Sequence, residues 1–97
     1  MSADFIAVVS IDEHDRLLIY PEKNTYPMIY REAVEVHWDP SGRFLYSPKP
    51  REWTYLDWFK HIISTVKDLR LFSTTRWSNV PESLKTDIVD WMNREEP

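Results

Sequence analysis

The sequence predicts an α+β fold: a four-stranded antiparallel sheet of two β-hairpins, with two C-terminal helices packed on one face as a second layer. Before residue 48 stand two pairs of apolar, β-prone runs, each pair joined by a turn that begins with Asp. Beyond it, two segments carry apolar residues at helical spacing, the first behind a strong helix start. Sheet residues 5–47 and helical residues 54–94 make one domain over 1–97, long enough for a modest core.

The first hairpin joins residues 5–11 to 16–20 through Asp12-Glu13-His14-Asp15, the second residues 34–38 to 43–46 through Asp39-Pro40-Ser41-Gly42. Each connector fits a type I turn whose last residue is left-handed, so Asp15 and Gly42 should adopt positive φ. That geometry sets the register. Asp12 faces Arg16, Ile11 faces Leu17 and Val9 faces Ile19; Asp39 faces Arg43, Trp38 faces Phe44 and Val36 faces Tyr46. Because side chains alternate along a strand, one face collects Ala7, Val9, Ile11, Leu17, Ile19, Val34, Val36, Trp38, Phe44 and Tyr46. All are apolar or aromatic, so this face should be the core. The other face collects Val8, Ser10, Asp12, Arg16, Leu18, Tyr20, Glu35, His37, Asp39, Arg43, Leu45 and Ser47.

Between the hairpins the chain reads as a loop, with a short helical turn expected at 30–33. Pro48 and Pro50 cannot continue a ladder and hand the chain to the first helix, expected over 55–69. Thr54 suits the N-cap and Asp57 can return its hydrogen bond, a short-armed capping box. Trp53 and Trp58 then occupy the two positions of a hydrophobic staple. Residues 71–78 form a connector with some extended character, and Pro81 opens a second helix running through Met92.

The totals exclude several functions. With 16 acidic and 12 basic residues the chain carries a net charge of −4, which disfavours nucleic acid as a partner. The absence of cysteine removes disulfides, thiolate chemistry and cysteine-held zinc. One glycine leaves no phosphate-cradling loop. No apolar run reaches membrane-spanning length and residues 1–4 lack the basic start of a signal peptide, so no membrane partner and a cytoplasmic location are expected. Five tryptophans are the unusual feature, since tryptophan both enlarges small cores and marks binding hot spots.

Glu35, His37 and Asp39 alternate along one strand and should share a face, but same-face side chains stand roughly 7 Å apart, too far for ligands of one ion. With no catalytic motif, no metal site and no cofactor indicated, an enzyme ranks last. The leading expectation is a small, soluble, non-enzymatic protein-interaction domain of accessory, immunity or antitoxin style. It would bind a protein partner, or a second copy in a homodimer, through Val8, Leu18, Tyr20, His37, Arg43 and Leu45 on the outer sheet face. The alternative is a small-ligand module with an aromatic pocket between the layers, lined by Trp38, Tyr46, Trp53, Trp58 and Trp77.

Overall fold

A computed structural model describes residues 4–95; residues 1–3, read above for a signal peptide, lie outside that range. Six strands and two helices follow one another: β1 (Asp4–Ile11), β2 (Leu17–Pro21), β3 (His37–Asp39), β4 (Phe44–Tyr46), α1 (Tyr55–Val66), β5 (Leu69–Arg70), β6 (Arg76–Ser78) and α2 (Glu82–Glu95). A short 3-10 turn at Ile29–Arg31 precedes β3, close to the helical turn expected there.

The fold is α+β, as predicted, but its sheet is mixed and six-stranded. The antiparallel order β3-β4-β2-β1 is extended at the free edge of β1 by β5 and β6, both parallel to it. The four-stranded expectation therefore missed one edge. These added strands are only two and three residues long, too short to show an alternating pattern. Buried Thr75 fixes the connector between them: its hydroxyl donates to the Ile6 carbonyl at 2.7 Å and accepts the Phe72 N–H at 2.9 Å.

The first hairpin has the expected register, with Val9 opposite Ile19 and Ile11 opposite Leu17, and Asp15 at φ 62°. A bulge between Ile6 and Val8 turns Ile6 into the core in place of Ala7, which is half-buried. The second hairpin is shifted by one residue. Asp39 pairs with Phe44, Trp38 with Leu45 and His37 with Tyr46. The left-handed residue is Arg43, at φ 60°, and not Gly42. A Cβ on Gly42 would lie 2.2 Å from the Phe44 ring, so glycine serves here to admit that ring.

The shift exchanges two faces of β4. Leu45, expected outside, is fully buried beside Ile19, while Phe44 and Tyr46 join Leu18 and Tyr20 on the face away from the helices. Val34, expected in the core, lies outside β3 and is 73% exposed. Val36 is buried with Phe59 and Ile62 of α1, and His37 is exposed, so the helical layer covers the expected side of the sheet.

Helix α1 begins as read. The Asp57 N–H donates to Thr54 Oγ1 at 3.1 Å, and Asp57 Oδ2 accepts the Thr54 N–H at 3.0 Å. It ends earlier than expected because Lys67 turns left-handed, φ 71°, its N–H donating to the Ile63 carbonyl. Leu69 is thereby released into β5. Helix α2 runs one turn beyond Met92 and buries Ile88 and Met92 against the same core.

The backbone N–H of Thr54 holds the Asp57 carboxyl below its ordinary value of 3.8. A carboxyl lowered in the folded state stabilises above its unfolded value and loses that contribution as pH falls through the lower one. Asp57→Asn should therefore lose less melting temperature than the wild type between neutral pH and a pH below 3.8. Equal losses in thermal melts would show that the box does not contribute.

The loop after β2 is clasped to the sheet by a buried carboxylate. Asp4 Oδ2 accepts the backbone N–H groups of Lys23 at 3.0 Å and Asn24 at 2.8 Å. Beside it the Tyr26 hydroxyl donates to Asp68 Oδ1 at 3.1 Å. Burial, together with the neighbouring Asp68 charge, pushes the Tyr26 phenol up to about 12.

Candidate functional site

The staple that starts α1 also builds a cleft. With Thr54 at the N-cap, Trp53 is folded back over Trp58, ring centroids 4.7 Å apart. His61, one helical turn beyond Trp58, meets the Trp53 ring edge-on at 5.3 Å. Opposite them the chain leaves β4 through Ser47, whose hydroxyl accepts the Leu17 N–H and donates to the Pro48 carbonyl, fixing the path of Pro48 and Lys49. Val34 and Glu35 close the remaining side from the turn after the 3-10 segment, where Glu35 is left-handed at φ 64°. The cleft so bounded has a volume of about 580 Å³, within the range of small-molecule sites.

Two of its lining residues carry an unusual polar group. Trp58 is only 7% exposed, yet its indole Nε1 has no hydrogen-bond partner among the described residues, and neither has His61 Nε2. A buried polar group left unpaired costs ~1–3 kcal/mol, and such groups are few in folded proteins. Trp53, by contrast, is 44% exposed. At the rim Glu35 and Glu52 face Lys49 and Arg51, with Arg51 and Glu35 4.0 Å apart, an exposed pair of small energetic weight.

Of the five aromatics expected to line one pocket, only Trp53 and Trp58 meet here. Trp38 lies edge-on to Tyr26 at the β3 end of the core. Tyr46 lies on the opposite sheet face beneath the Arg16 guanidinium, 4.6 Å from its ring. Trp77 is on β6 beside Val9, and with Phe72 and Lys85 it borders a second cleft against α2. His61 and Val34 were not singled out from the sequence for this cleft. The Trp58-to-His61 spacing of three was the available signal.

The outer sheet face has a different membership from the one expected. Tyr20, Phe44, Tyr46 and His37 form a continuous aromatic strip, successive centroids 5.0, 5.8 and 5.6 Å apart. Val8 is half-buried beside Tyr20, Leu18 is buried under its neighbours, and Leu45 belongs to the interior. Arg43 is exposed and donates to the Lys23 carbonyl at 3.2 Å. Next to this strip Arg16 donates to Asp12 Oδ2 at 2.7 Å. Burial tends to raise the Asp12 carboxyl, but the N–H groups of Arg16 and His14 and the Arg16 charge outweigh it and hold it below the usual range. Glu35 has left the strand, so the row with His37 and Asp39 is broken. No cluster of three His, Asp or Glu able to hold a metal occurs among the described residues.

Residues 4–73, from β1 through β5, match the family described as integron cassette protein Hfx_Cass5. The chain belongs to that family. A solved structure, the integron cassette protein Hfx_Cass5 from the mobile metagenome of the North West Arm sewage outfall, is 38% identical over 96% of this chain and 98% of that chain, with a TM-score of 0.50. No curated protein matches. Every residue lining the Trp53–Trp58 cleft falls within the 4–73 match to the family. No described helix is long and apolar enough to cross a membrane.

Proposed function

We propose that this cassette protein is a non-enzymatic binding module that takes a small planar ligand in the cleft at the start of α1. The observation that carries this reading is the unpaired Nε1–H of a nearly buried Trp58, itself a lining residue of a cleft walled by an exposed tryptophan. Apolar walls with a few fixed polar groups are what small-molecule sites are made of. Tryptophan emission titrated with a library of planar metabolites should show a saturable quench. Trp53→Ala should weaken that binding about tenfold or more through lost ring stacking, and Trp77→Phe should leave it unchanged. A quench that survives Trp53→Ala but disappears in Trp77→Phe would move the site to the other cleft.

A second reading keeps the outer sheet face as a surface for a protein partner or a second copy. The unbroken aromatic strip from Tyr20 to His37 supports it. The near-complete burial of Leu18 and Phe44 beneath their neighbours leaves that face less apolar surface to offer, which ranks it second.

A further inference from the structure

The chemistry of the cleft's ligand follows from its polar groups, on the reading that the cleft binds a small molecule. Trp58 Nε1 can only donate, and it is buried without a partner. His61 Nε2, one turn further along α1, is likewise unpartnered. The Trp53 indole lies against both rings. It makes no hydrogen bond to the described residues, and residues 47–52 before it have no regular secondary structure. That ring is therefore held by stacking alone and can yield to another ring. The rim gives no preference for charge. An anionic ligand would meet Glu35 and Glu52, and a cationic one Lys49, Arg51 and the indole N–H.

We infer that the cleft takes an uncharged planar heteroaromatic, which lodges under the Trp53 ring and accepts a hydrogen bond from the Trp58 Nε1–H through a ring nitrogen or carbonyl oxygen. A ring of the same outline without an acceptor would leave that N–H as it is and gain only stacking. Sites built around a buried polar group reject analogues that cannot pair with it.

Isoquinoline and naphthalene share one two-ring outline and differ in a single acceptor nitrogen. Protein titrated against each at neutral pH, followed through the probe's own NMR signals, should bind isoquinoline about tenfold more tightly. Trp58→Phe, which keeps a smaller aromatic ring but removes the N–H, should abolish the preference and bring isoquinoline to the level of naphthalene. The wild-type comparison stands even if that variant folds poorly. Equal wild-type affinities, or a preference that persists in a folded Trp58→Phe, would overturn the ligand class while leaving the cleft a binding site. If neither probe binds, both the ligand class and the binding reading fall.

Discussion

Leu45→Asp should abolish folding at neutral pH, whereas Tyr46→Asp, one residue along the same strand, should leave a folded protein. Leu45 has no exposed surface and sits between Ile19 and Trp38 on the helix-covered side of the sheet. A carboxylate placed there has no partner. Buried unpaired charge belongs to the few changes that cost more than about 4 kcal/mol, a large share of the ~5–15 kcal/mol that holds a domain folded. Tyr46 is half-buried on the other side, and an aspartate in its place would stand near the Arg16 guanidinium. Far-UV circular dichroism and thermal melts of the two variants separate the cases. A register one residue shorter would reverse them, with Tyr46→Asp unfolded.

Phe59→Ala should lower the unfolding free energy by ~3–5 kcal/mol, the cost of a large cavity where the surroundings cannot collapse. Phe59 is fully buried on α1, its ring edge-on to Trp91 of α2 at 6.1 Å, so it joins both helices to the sheet. Phe72→Ala is the matching control. That ring is half exposed and stacks only on Phe5, at 4.6 Å, so its removal should cost under about 1 kcal/mol. Urea unfolding at constant m-value reads both. Similar midpoints for the two variants would mean that the helices are not anchored where the packing places them.

The two hairpins show what a turn sequence does and does not specify. Asp12 accepts the N–H groups of His14 and Arg16, and the Asp15 N–H returns to the Asp12 carbonyl at 3.0 Å, the turn expected. Asp39 heads a similar stretch, but its carboxylate accepts Ser41 and Gly42, and the carbonyl of Asp39 is reached by Arg43 N–H at 2.8 Å. The turn closes one residue later. Gly42 is used here to make room for the Phe44 ring and not for positive φ, a role that glycine preferences in turns do not reveal. The same limit hid β5. With no glycine to end the helix, nothing marked Lys67 as its left-handed cap, and Leu69 continued the apolar stripe on paper.

The site was half legible for a related reason. Trp53, Thr54, Asp57 and Trp58 lie within six residues of one another, and their staple and capping box are local chemistry that a sequence displays. The other wall comes from Val34, Glu35 and Pro48, brought together by a turn with a left-handed glutamate and by the exit from β4. No periodicity encodes that meeting. Nor could spacing show that the Trp58 N–H would be buried without a partner.

The most direct measurement is the ¹H–¹⁵N spectrum of the five indole N–H groups as isoquinoline is added. The account predicts that the Trp58 signal moves farthest downfield as its proton is accepted, with Trp53 following and Trp38, Trp77 and Trp91 unmoved. Saturable binding that leaves Trp58 in place, or that shifts Trp77 or Trp38 first, would contradict it.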